Sequence, residues 1–284
     1  MKSEGLIASI RQRLLTLSRN NGETFDFVLA RYGIERFLHR LSVSENADRF
    51  ILKGSMLFHV WNRKMHRPTR DLDLLGFGPH DPQSVRQAII EILRTEVPED
   101  GLWFDEKSLD VEPIREDMIY GGMRAKFRAK LGNVRTPIQV DVGYGDAVVP
   151  EPEIREFPSL LSSIPNSSLR VYPVCTVVAE KFEALVRLDA QNTRMKDFFD
   201  LDLILKTNSP DVELLSTAIR ATFQRRGSQL PDDTPTGLTD DFARDKKTMW
   251  NAFLRKNGLE GNDLADVIIR IREKLEWLWI GQND

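Results

Sequence analysis

Lys53-Gly54-Ser55, followed closely by Arg67-Pro68-Thr69-Arg70-Asp71-Leu72-Asp73-Leu74, holds the residue types that phosphate and metal chemistry requires. Alternation with leucine places Asp71 and Asp73 on one face of a short strand, about 7 Å apart. Two carboxylates so placed repel each other unless a cation sits between them. A divalent ion with oxygen ligands, Mg²⁺ or Mn²⁺ in its place, answers that need. The Gly54-Ser55 turn offers backbone N–H groups and a hydroxyl, which suit phosphate oxygens. Lys53, Arg67 and Thr69 flank the same stretch. Together these residues describe a site for a metal-bound nucleoside triphosphate. The plainer reading of Asp71 and Asp73 alone is a solvated strand face, or ion pairs with Arg67 and Arg70.

Further candidates lie downstream. Asp141 sits mid-strand between Val140 and Val142, where propensity and burial both disfavour an acid. It either faces solvent or joins Asp71 and Asp73 in a carboxylate cluster able to hold two metal ions. Lys181 falls between Val177, Val178 and Leu185 at helical spacing. It reads as a half-buried cation aimed at an anion, or as a snorkelling or salt-bridged lysine. In Arg194-Met195-Lys196-Asp197-Phe198-Phe199-Asp200, Asp197 and Asp200 are helix neighbours that could orient Lys181 or reach the nucleotide. Arg124, Lys126, Arg128 and Lys130 recur at strand period, and their mutual repulsion suggests either an RNA backbone opposite them or a solvated outer face. Arg63, Lys64, His66 and Arg67 make a second basic cluster.

The elements that must position these groups follow from periodicity. Residues 1–45 read as two helices, the second interrupted by Gly33. Phe50-Ile51-Leu52 is a short apolar piece before the turn, and Met56–Trp61 a buried helix after it. Strand 71–76 precedes a helix that starts near Pro82 with Asp81 as its cap. Leu109, Val111 and Ile114, then 123–131, then 138–142 read as strands. Residues 150–168 read as a Pro- and Ser-rich loop, and the remainder as helices over 176–188, 195–205, 212–224, 246–256 and 264–279. The long 227–241 segment suggests a mobile lid or a partner surface. The expected class is α+β: a core with a mixed sheet over 1–168, and a helical domain over 169–284 that completes the active site.

Bulk properties narrow the partners. The 284 residues are 41% hydrophobic and 29% charged, with a net charge of −3, so any nucleic-acid contact must come from local patches. No apolar run reaches the ~18 residues of a membrane helix, and the N-terminus lacks a signal peptide's apolar core. A single cysteine, Cys175, allows no internal disulfide and reads as a buried small hydrophobe. These features suit the cytoplasm. No zinc spacing, Walker A loop or Gly-x-Ser-x-Gly is present.

In this order, the motifs resemble the AbiEii/AbiGii toxin family, also called MenT-type nucleotidyltransferases. The resemblance is carried by Lys53-Gly54-Ser55; by Arg67, Thr69, Asp71 and Asp73; by Asp141; by Lys181 with Ala184 and Leu185; and by Arg194, Lys196, Asp197 and Asp200. It spans roughly residues 50–205, and residues 206–284 carry no matching motif. It implies the DNA polymerase beta-like nucleotidyltransferase fold and a Mg²⁺-dependent transfer from an NTP to an RNA acceptor such as the tRNA 3′ end. Translation would be blocked as a result, and a cognate antitoxin would restrain the protein. The residues alone also fit an enzyme that nucleotidylates a small molecule such as an antibiotic, or a non-catalytic NTP-binding regulator.

Overall fold

The computed structural model describes residues 4–62, 67–114 and 121–280. The chain forms two compact units: residues 1–145 with 153–171, and residues 172–284 with 146–152.

The first unit is built on a seven-stranded mixed sheet. Its strands are β1 (Phe50–Lys53), β2 (Asp71–Gly76), β3 (Leu102–Ile114), β4 (Gly122–Leu131), β5 (Val134–Tyr144), β6 (Glu153–Phe157) and β7 (Ser167–Val171), in the order β3-β4-β5-β2-β1-β7-β6. β2, which carries Asp71 and Asp73, is therefore the central strand. It runs parallel to β5 and antiparallel to β1, and β1 runs parallel to β7. Helices α1 (Glu4–Asn21), α2 (Phe25–Ser42), α3 (Leu57–Asn62) and α4 (Pro82–Arg94) complete this unit.

Strand alternation decides which face is buried. Met123, Ala125, Phe127, Ala129 and Leu131 of β4 are buried, as are Ile138, Val140 and Val142 of β5 and Leu72 and Leu74 of β2. Their partners in the alternation, Arg124, Asp141 and Asp73, therefore share the opposite face. Phe127 packs on Phe37 of α2, with ring centroids 5.5 Å apart. Gly33 does not interrupt α2; it lets the helix approach the sheet, because a Cβ there would lie 2.7 Å from Ile138 Cδ1. The expected start of α4 is found: Asp81 Oδ1 accepts from the N–H groups of Gln83 and Ser84, with Pro82 in the first turn.

Several expectations need correction. Residues 150–168 are not all loop, since β6 and the start of β7 lie there. β6 escapes the pattern because Ile154, Arg155 and Glu156 are all exposed. The sheet also begins its third strand at Leu102, earlier than Leu109 suggested.

The second unit is helical: α5 (Val174–Leu188), α6 (Met195–Thr207), α7 (Val212–Arg226), α8 (Asp240–Asn257), α9 (Leu264–Leu275) and α10 (Trp277–Ile280). α5 packs on α7, and α6 on α9. Cys175 is buried, as expected. The 227–241 segment is a loop as far as Pro235, as expected, and its far end is packed down. Leu238 is fully buried, Arg272 donates to its carbonyl at 3.2 Å, and a Cβ on Gly237 would lie 2.8 Å from Leu185. Thr239 then caps α8, which starts six residues before the sequence pattern does, at Asp240 rather than Lys246.

Candidate active site

The turn between β1 and α3 is shaped around one aspartate. Register places Lys53 opposite Asp73 across the β1–β2 pair. Gly54 follows with φ 72°, in the left-handed region where glycine is favoured. A Cβ on it would lie 2.7 Å from Asp73 Cβ and would overlap the Asp73 carboxylate. The turn backbone is thus packed directly against Asp73, an approach only glycine allows. Ser55, buried, follows in the same short turn, and Leu57 N–H donates back to the Gly54 and Ser55 carbonyls. Gly54→Ala should therefore cost about 1–3 kcal/mol of stability from backbone strain and should also displace Asp73. Thermal melts and a nucleotide-transfer assay read the two effects. Wild-type transfer by Gly54→Ala would separate the turn from the chemistry.

β2 and β5 bring the acids together in register. Asp71 lies beside Gln139, and Asp73 beside Asp141. Asp71 is exposed and Asp73 half-buried. Asp141 is held by Arg124 from the adjacent strand: Arg124 Nε donates to Oδ1 at 2.8 Å and Nη2 to Oδ2 at 2.7 Å. Gln139 adds a 3.3 Å hydrogen bond to Oδ2. The hydrogen bonds to Asp141 push the Arg124 pKa up, with the charges of Asp141 and Asp71 adding to this against partial desolvation.

The donor set suits Mg²⁺ or Mn²⁺. Such ions take hard oxygen ligands, commonly one or two carboxylates completed by water and substrate phosphate. Asp71 and Asp73 supply two carboxylates on one strand face. Asp141 stands next to them with its oxygens engaged by Arg124. Among the described residues, no three His, Cys, Asp or Glu side chains converge on one ion position.

The basic row of β4 is not a bare one. Besides the Arg124–Asp141 pair, Lys126 Nζ lies 2.7 Å from Glu112, and Lys130 and Arg128 lie 3.4 and 3.9 Å from Asp105. Lys130 also sits 4.3 Å above the Trp103 ring. The repulsion that suggested a polyanion opposite Arg124, Lys126, Arg128 and Lys130 is answered within the sheet, by acids on β3 and β5 that the β4 sequence cannot reveal. Arg63, Lys64 and His66 lie outside the described residues. Arg67 and Thr69 are half-buried on the approach to β2.

The second unit fixes Lys181 firmly. Its ammonium donates to Asp197 Oδ1 at 2.7 Å and Asp200 Oδ2 at 2.8 Å, linking α5 to α6. The three side chains are 15%, 11% and 1% exposed. Desolvation lowers the Lys181 pKa, but Asp197 and Asp200 outweigh it and hold it above the usual lysine range. The α6 N-terminus is set by Asn192, whose side chain accepts from Arg194 N–H at 2.8 Å. The Arg194 and Lys196 side chains are exposed.

One cluster escaped sequence reasoning. Arg226 of α7 bonds Glu183 at 2.8 Å and Asp146 at 3.0 Å, and lies 3.4 Å from Glu180. Ser228 also donates to Glu183, at 2.6 Å. Glu183, a fully buried acid two residues after Lys181, was the available signal: an ion in an apolar helix stripe requires a partner.

Residues 36–278 match the family described as "Nucleotidyl transferase AbiEii toxin, Type IV TA system". No curated protein matches the chain. Two crystal structures are similar. One, a provisionally assigned nucleotidyltransferase from H. pylori, has 14% identity and a TM-score of 0.49, with 90% of this chain and 96% of that one covered. The other, JHP933 from Helicobacter pylori, has 15% identity and a TM-score of 0.48, with 87% and 88% covered.

Proposed function

The chain belongs to the AbiEii nucleotidyl transferase toxin family of type IV toxin–antitoxin systems, and on that premise we propose that it transfers a nucleotide from a metal-bound NTP to an RNA, with the tRNA 3′ end as acceptor. The observation that supports this reading is the Gly54 turn packed on Asp73 in the central strand, because a phosphate would need backbone N–H groups and a divalent ion a carboxylate at one place.

In this reading Asp71 and Asp73 hold the metal, with Asp141 beside them. The ion, when bound, neutralises phosphate charge in the transition state. Lys53, Gly54, Ser55, Arg67 and Thr69 position the triphosphate. The family motif assigns Lys181 to the phosphates, with Asp197 and Asp200 fixing its ammonium and Lys196 nearby in sequence. The acceptor hydroxyl attacks the α-phosphorus and loses its proton to solvent, a new P–O bond forms, and the bond to pyrophosphate breaks. A modified tRNA end would no longer accept an amino acid, so translation would stop in the cytoplasm. A cognate antitoxin would hold this activity in check. Among the described residues no helix is long and apolar enough to cross a membrane.

The salt-bridged β4 row favours a second reading, in which the acceptor is a small molecule that needs no extended basic face. Incubation with total RNA and each labelled NTP in turn, with Mg²⁺, separates the two. The expected result is a labelled band at tRNA size with one NTP. Label confined to a small product would favour the second reading.

A further inference from the structure

Arg124 meets an acid from each neighbouring strand: register sets it opposite Glu112 on β3 and Asp141 on β5. Glu112 pairs with Lys126, whereas the Arg124 fork closes on Asp141 with two parallel bonds. That fork is one arginine makes with a carboxylate and equally with a phosphate, and lysine with neither. Asp141 in turn stands in register beside Asp73, the acid against which the Gly54 turn packs. The pair is not sealed in the core, since the Arg124 side chain is 31% exposed and that of Asp141 17%. A fork at this depth can exchange partners without unfolding the sheet.

We propose that Arg124 is a positioning residue that serves as the built-in counter-cation of the Asp71–Asp73–Asp141 face, keeping Asp141 from a metal ion until an NTP arrives. This rests on the metal-site reading above and goes beyond it. With no nucleotide, three carboxylates on adjacent strands share a face with a guanidinium already bound to one of them. An incoming divalent ion meets that positive charge and finds Asp141 already engaged by it. A triphosphate changes the balance, because it brings further oxygen ligands for the metal and an alternative anionic partner for the guanidinium. Metal and nucleotide then bind together, each raising the affinity of the other by the same factor. A toxin so built would not load metal alone.

The test is Mn²⁺ binding to the full chain, read by the electron-spin signal of the free ion, with and without a non-hydrolysable NTP. Removing one unit charge beside the acids should tighten Mn²⁺ binding without nucleotide by about tenfold in Arg124→Gln, and the gain from adding NTP should shrink. Arg124→Lys keeps the charge but loses the fork, and its affinity should fall between wild type and Arg124→Gln. Should Arg124→Gln fail to fold, a tighter affinity in Arg124→Lys than in wild type decides the matter. Wild-type Mn²⁺ affinity in the folded variants overturns the inference. The underlying metal-site reading is tested separately by Asp73→Ala. If that variant binds Mn²⁺ with NTP as wild type does, the reading itself falls, whatever Arg124 does.

Discussion

Asp71→Ala and Asp73→Ala are expected to transfer nucleotide at less than about one-thousandth of the wild-type rate. A metal contributes several kcal/mol of charge stabilisation to phosphoryl transfer, and each ~1.4 kcal/mol is tenfold in rate. The two variants differ usefully in structure. Asp71 is exposed at the start of β2, so its removal should shift stability by no more than about 0.5 kcal/mol. Relief of carboxylate repulsion could even raise the melting temperature without metal. Asp73 is half-buried under the Gly54 turn, and its loss should disturb local packing as well. Asp71→Ala is therefore the cleaner variant. Rates from labelled NTP incorporation, alongside thermal melts, check both statements. Full activity in either folded variant would contradict the site.

Lys181→Ala should lose both stability and activity. It leaves Asp197 and Asp200, 11% and 1% exposed, without the ammonium that now lies within 2.8 Å of each. Breaking a buried ionic cluster by removing one member costs about 3–5 kcal/mol. Lys181→Arg should rescue poorly, because a planar fork does not replace a point charge held between two carboxylates. Stability and chemistry can be separated by neutralising all three in Lys181→Met/Asp197→Asn/Asp200→Asn, which should regain much of the stability and none of the transfer. Recovery of transfer in that variant would make the cluster purely structural. The folded pKa of Lys181 is raised, so its stabilising contribution is fully present below the unfolded value of about 10.4 and fades only as pH rises through the folded value. Urea melts across the neutral range should show no pH dependence from this cluster.

What was legible in the sequence was local and periodic. Leucines alternating with Asp71 and Asp73, the unbroken alternation from Met123 to Leu131, and Asp81 before Pro82 each encode their geometry within a few residues. Lys181 with Asp197 and Asp200 was legible for a related reason, since a lysine in an apolar helix stripe requires an anion and the next helix offered two. What needed the structure was the pairing of distant strands. Nothing near Arg124 shows that β5 lies beside β4 in the register that hands Arg124 to Asp141. The same holds for α2, where Arg40 bonds Asp100 at 2.6 Å, and Arg36 and Glu35 pair at 2.6 Å while the backbone N–H of Leu160 donates to Glu35. These charges lie within the buried stretch of α2, and their partners Asp100 and Leu160 are distant in the chain. In the 227–241 segment, Gly, Pro and Asp correctly marked a loop, but the burial of Leu238 at its end depends on contacts the composition cannot express.

The most direct measurement is pyrophosphate release coupled to RNA labelling, with wild type and Asp71→Ala compared in the presence and absence of Mg²⁺. One pyrophosphate is expected for each nucleotide joined to RNA by the wild-type protein, none after chelation of the metal, and none from folded Asp71→Ala. Release at the wild-type rate by Asp71→Ala, or by the wild-type protein without a divalent ion, would contradict that expectation.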